Sequence, residues 1–119
     1  MLQKDGFEHA VPEPMHSTFR QIAGAFVHGD YQLRDHPIAG VRPVERDTAE
    51  WIAECVSAYG DDLEPLNEQT WERSIYRWMD GYWLALVDLT TSSEPVSDLS
   101  LLAKLYEDGD VEVYGVFVP

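Results

Sequence analysis

The groups in this chain best suited to chemistry by type and density are carboxylates. Asp61, Asp62, Glu64, Glu68 and Glu72 crowd into residues 61–72, a stretch with no lysine or arginine. Acid–base catalysis needs two carboxylates in environments different enough to separate their pKa values, and nothing around this run implies a buried pocket. A calcium loop needs an ordered set of oxygen ligands about a glycine turn, and residues 61–72 contain no glycine. The run therefore reads either as a solvated face or as a docking surface for a cationic partner. Aromatic rings follow closely, at Trp71, Tyr76, Trp78, Tyr82 and Trp83. Pairing across antiparallel strands accounts for most such rings; the alternative is an anchor that a partner desolvates. The candidate partner-binding set is accordingly Asp61, Asp62, Glu64, Glu68, Glu72, Trp71 and Trp78.

Other polar groups point to less. His28, Asp30, Asp35 and His36 lie close together, and two histidines with two aspartates can ligate a metal. Their spacing follows no established ligand pattern and falls beyond a helix end, so a solvated loop is the plainer reading. His9 and His16 flank a proline-containing stretch and say less again. Cys55 falls in the C-terminal half of an expected helix, where the helix dipole disfavours a thiolate, so it reads as a packed thiol. Asp88 interrupts an apolar strand, either as its outward end or as a buried polar anchor. A glycine-rich phosphate loop, a nucleophile elbow, a cysteine pair and a helical zinc-binding histidine pair are all missing. No catalytic residue, cofactor or metal is assigned, and a non-catalytic binding protein is expected.

The elements that must position these groups belong to one domain, residues 1–119, with 45% hydrophobic residues, four Trp and six Tyr to build its core. The 22 acidic and 8 basic residues give a net charge of −14, unevenly spread. Residues 45–72 hold nine acids and one base, residues 79–119 eight acids and one base, and residues 73–78 only Arg73 and Arg77. Such a surface repels phosphate backbones and anionic lipid, which argues against nucleic-acid and membrane binding. It attracts a protein partner with a basic surface, although charge for solubility alone is the simpler use. One cysteine excludes an internal disulfide and suits the cytoplasm. Residues 1–14 lack the apolar core of a signal peptide, and the longest apolar run, 82–87, is too short to span a bilayer.

Residues 1–15 are expected to form an irregular lead-in held extended by Pro12 and Pro14. Ser17 is then a plausible N-cap, and Phe19, Ile22, Ala23, Phe26 and Val27 recur at helical spacing before Gly29, predicting a helix over 17–28. Residues 30–46 read as a loop with a short strand around 38–41. Asp47 and Glu50 resemble a capping box opening a second helix over 48–59, closed by Gly60. Residues 61–70 read as an acidic connector. Strands are predicted over 73–78, 82–89, 99–107 and 111–118, turned at Asp80-Gly81 and Asp108-Gly109. The result is an α+β fold, α-α-β-β-β-β, with two N-terminal helices packed on a four-stranded antiparallel sheet of two β-hairpins. Both faces of the strands at 82–89 and 111–118 are largely apolar, where a one-sided sheet would alternate cleanly. The second face is therefore expected to be covered by the lead-in, the 30–46 loop, a second subunit or a partner.

Two stretches, RQIAGAFVHGDY at 20–31 and GYWLALVDLTTSSEPVSDLSLLAKLYEDGDVEVYGVFVP at 81–119, resemble a family of small bacterial domains of unknown function. In that family a helix ending Gly29-Asp30-Tyr31 precedes a strand holding Trp83, then Ser97-Asp98-Leu99 leads into a strand and a terminal hairpin. The resemblance brings no catalytic residues. By analogy with small acidic bacterial domains of this style it implies an immunity-type protein that neutralises a toxin by occluding it. The segment AFVHGDY is also similar to the first helix of nuclear-transport-factor-2-like domains. That similarity implies an enzyme or ligand-binding domain with a pocket between helices and sheet, lined by Trp83 and Tyr76, with Asp88 or Asp30 acting in it. Self-association through the second sheet face, giving a homodimer, is a third expectation.

Overall fold

The computed structural model describes residues 2–119. Its class is α+β, with two helices and a mostly antiparallel arrangement of strands. Helix α1 spans Glu13–Val27 and α2 spans Arg46–Tyr59. Helix α1 begins earlier than the sequence suggests. Pro12 is its N-cap and Pro14 sits in its first turn, where the missing N–H has no intrahelical acceptor to lose. Helix α2 also starts two residues early, on Glu45, and no side chain caps it. Asp47 lies in its first turn, at the positive end of the helix dipole, and Glu50 turns back to Arg46 at 3.2 Å. Gly60 closes α2 with a left-handed φ of 81°.

The strands are β1 (His9–Ala10), β2 (Leu63–Glu64), β3 (Ile75–Trp78), β4 (Trp83–Asp88), β5 (Thr90–Thr91), β6 (Ser100–Leu105) and β7 (Val111–Phe117). The expected four-stranded sheet is in fact five-stranded, in the order β1-β3-β4-β6-β7, and a separate ribbon joins β2 to β5. The lead-in is not irregular, because His9 and Ala10 pair with Tyr76 and Ile75 at the edge of the sheet. The acidic connector is also structured. It supplies β2 and a 3-10 helix at Glu68–Glu72, which the Asn67 side chain opens by accepting from the Gln69 amide at 2.9 Å. The strand expected near residue 40 is a single parallel bridge between Val41 and Val111. Both hairpins form where expected. Asp80 and Gly81 take φ of 61° and 132°, the positive values that a tight two-residue turn requires.

Register sorts the sheet into two unequal faces. Ala85, Val87, Leu101, Ala103 and Val113 point toward the helices and are at most 3% exposed. They meet Phe19, Ile22, Phe26 and Ile52 in one core. The opposite face carries three cross-strand rows: Arg77–Leu84–Lys104–Glu112, Ile75–Leu86–Leu102–Gly115 and Asp88–Ser100–Phe117. Ile75, Leu84 and Leu86 on it are half-buried. Trp51 of α2 reaches over the β7 end of the middle row, at Gly115, and Leu102 beside it is 9% exposed. The lead-in covers the inner side, where the Trp83 indole donates to the Gln3 carbonyl at 2.8 Å. The Lys4 ammonium stands 4.9 Å from the Trp78 ring centre.

Candidate functional site

Helices α1 and α2 end side by side. Their last turns and caps, at Phe26, Val27 and Gly29 and at Val56, Ser57 and Gly60, line a cleft of about 370 Å3 together with Tyr31, Asp61, Asp62 and Leu63. Asp61 follows the α2 cap directly. Its carboxylate accepts from the Ser92 hydroxyl and from the Ser93 amide, the latter at 3.1 Å. These hydrogen bonds, the Ser92 hydroxyl first, hold its pKa far below the usual carboxylate range. Asp61 therefore stays ionised while it fastens the α2 exit to the turn after β5. The Asp62 carbonyl accepts from the Ser92 amide at 2.9 Å, which leaves the Asp62 side chain exposed at the rim.

More acids gather beside this rim. Glu64 is exposed on β2, paired in register with Thr90. Glu94 accepts from the Tyr59 hydroxyl, and the Tyr59 oxygen accepts from the Asp98 amide at 3.2 Å. Asp61, Asp62, Glu64, Glu94 and Asp98 thus share one pole of the molecule. The segments that build it, residues 47–72 and 89–99, contain no lysine or arginine. Burial pushes the Tyr31 hydroxyl pKa up, so this ring in the cleft is uncharged.

The remaining sequence candidates lie elsewhere. Glu68 sits on the 3-10 helix and pairs with Arg20 of α1. Glu72 is exposed at the end of that helix. The Trp71 ring stacks on His16 with centres 3.7 Å apart and planes 3° from parallel. The Trp78 ring faces inward against Trp83 at 4.9 Å. Asp61, Asp62 and Glu64 are therefore brought together, whereas Glu68, Glu72, Trp71 and Trp78 are placed apart from them. Phe26 and Val56 escaped sequence reasoning because their helical spacing reads only as core, and Tyr31, beyond the α1 cap, entered it only as part of the Gly-Asp-Tyr motif.

Asp30 organises its own loop. Its carboxylate accepts from the amides of Arg34, Asp35 and His36 and from His36 Nδ1. Burial raises its pKa, but these hydrogen bonds outweigh that and leave it lowered. Among the described residues no group of three or more His, Cys, Asp and Glu is placed to hold a metal. Asp88 is only 7% exposed; it accepts from the Ser100 hydroxyl at 3.0 Å and faces Arg73 Nε at 3.3 Å. The space between helices and sheet, where a pocket of the nuclear-transport-factor-2 kind would lie, is filled by Phe19, Ile22, Phe26 and Ile52, each at most 1% exposed. Among the described residues no helix is long and apolar enough to cross a membrane.

Neither the curated proteins nor the solved structures contain a match to the chain. A family match covers residues 23–119, including the end of α1, the Gly-Asp-Tyr cap, both hairpins and the whole acidic pole. That span takes in nearly all of both stretches on which the resemblance to a family of unknown function rests. The chain belongs to the family described as Domain of unknown function (DUF7668).

Proposed function

We propose that this chain is a cytoplasmic, non-catalytic binding protein of the immunity type, which takes up a basic element of a protein toxin at its acidic pole. The supporting observation is that two helix C-termini converge on one cleft rimmed by Asp61 and Asp62. Each C-terminus acts as roughly half a negative charge, and neither helix has a basic residue in its last turn to offset it. A lysine or arginine side chain entering the cleft meets both helix ends, two carboxylates and the face of Tyr31, which favours a cation. Asp62, Glu64, Glu94 and Asp98 surround the entrance and steer a basic partner toward it, raising the association rate. The toxin as partner rests on analogy with small acidic domains of this style.

The test is capture from the native host, comparing the wild-type chain with the double variant Asp62→Lys/Glu64→Lys. The expected result is a basic protein that binds only the wild type and releases at about 0.5 M salt, where screening acts within a few ångströms. Its toxic activity should be blocked by the wild type alone. Equal capture by both chains, or no capture at low salt, overturns the proposal.

A further inference from the structure

The outer face of the five-stranded sheet is covered in part, where Trp51 lies on Gly115 and Leu102 is 9% exposed, but Ile75, Leu84 and Leu86 remain half-buried on it. Lys104 stands between the Tyr82 and Tyr114 rings, 4.9 and 5.1 Å from their centres. Arg77 is exposed two rows from the Arg73–Asp88 pair. In a molecule of net charge −14, this face gathers three basic side chains on and beside its rows and so escapes most of the self-repulsion. Its centre is apolar, and the apolar surface continues past the sheet edge. Trp51 of α2 leans over Gly115 and is still 45% exposed.

We infer that this face binds a second copy of the chain, face to face, about a two-fold axis running along the strands between β4 and β6. Aligned sheets pack about 10 Å apart with strands within about 30° of each other. Such an axis reverses each row onto itself. The row Arg77–Leu84–Lys104–Glu112 then sets Arg77 opposite Glu112 of the second copy, twice, and lays Leu84 on the stem of Lys104. The next row, Ile75–Leu86–Leu102–Gly115, sets Leu86 on Leu102 and brings Trp51 over Ile75. Both rows are self-complementary under one operation, one in charge and one in shape. Four strands about 4.8 Å apart and six residues of about 3.3 Å each give a footprint of about 20 by 20 Å. That is small for a stable interface, so the dimer is expected to be weak and reversible.

The operation predicts a specific exchange of partners. Arg77→Glu places like charges at both outer contacts of a dimer, and so does Glu112→Arg. In a mixed pair, Glu at 77 of one chain meets Arg at 112 of the other, and the native pair occupies the second contact. Sedimentation velocity should show a concentration-dependent dimer for the wild type and a more than about tenfold weaker one for each single variant. An equimolar mixture should recover the dimer. Far-UV circular dichroism of each variant alone establishes that it is folded. Because Glu112 also holds Arg42 and the Tyr106 hydroxyl, Leu86→Asp provides an independent disruption on the same face. A wild type that stays monomeric to about millimolar concentration overturns the inference. So does a dimer that Leu86→Asp leaves intact, or folded single variants that fail to associate on mixing.

Discussion

At the scale of single residues, close approach decides more than composition does. A Cβ on Gly115 would lie 2.6 Å from Cζ3 of Trp51, a separation no real contact allows, so Gly115→Ala must displace the indole. Overpacking of this kind costs about 1–3 kcal/mol. Urea denaturation should show that loss for Gly115→Ala and a much smaller one when Trp51→Ala is already present; equal losses in both backgrounds would show that the clash is not what matters. Ser97 illustrates the opposite case, a polar group that cannot be spared. It is fully buried, and its hydroxyl donates to the Leu89 carbonyl at 2.6 Å and accepts from the Leu99 amide at 3.2 Å. It thereby closes the loop between β5 and β6. Ser97→Ala leaves the Leu99 amide buried without this acceptor, and a loss of about 1–3 kcal/mol in denaturant unfolding is expected.

At the scale of elements, what could be read from the chain was what repeats locally. The apolar stripes of α1 and α2, the switch to alternation after residue 72 and the two Asp-Gly turns are all visible in windows of ten residues. The strands β1, β2 and β5 have two residues each, too few to show a period, and they exist because distant partners are in reach. The site followed the same rule. The acids of 61–72 stood out, but Arg20 claiming Glu68 and His16 covering Trp71 depend on where α1 packs. The β2–β5 ribbon depends on one such long-range tie, Asp61 to Ser92 and Ser93, and this makes it sensitive to acid. The folded pKa of Asp61 lies below its unfolded value, so its contribution is present above about pH 4 and lost as pH falls toward the folded value. Asp61→Asn should therefore lower the urea midpoint at about pH 7 and by a smaller amount near about pH 2, below the unfolded value, where part of that contribution is already lost. The same deficit at both pH values would show that charge on Asp61 plays no part.

At the scale of the whole molecule, the family match and the folding unit do not coincide. The matched region begins at residue 23, yet residues before it close the structure. Phe19 and Ile22 are fully buried, Val11 is 4% exposed, and His9 and Ala10 extend the sheet past β3. Losing a single buried phenylalanine side chain costs about 3–5 kcal/mol, against a total stability of about 5–15 kcal/mol for a domain of this kind. A chain of residues 23–119 loses Phe19, Ile22, Val11 and most of α1 together, more than that margin holds. It should show no cooperative urea transition and no near-UV circular dichroism. Removing only residues 1–8 is a milder cut, since α1 and β1 remain. It takes away the Gln3 carbonyl that the Trp83 indole donates to and the Lys4 side chain over Trp78. That shorter chain should fold cooperatively with a lower urea midpoint and a red-shifted tryptophan emission, because water reaches the inner side of the first hairpin. A cooperative transition in 23–119 would mean that the sheet and α2 close a core without α1, and the packing of Phe19 and Ile22 would then be dispensable.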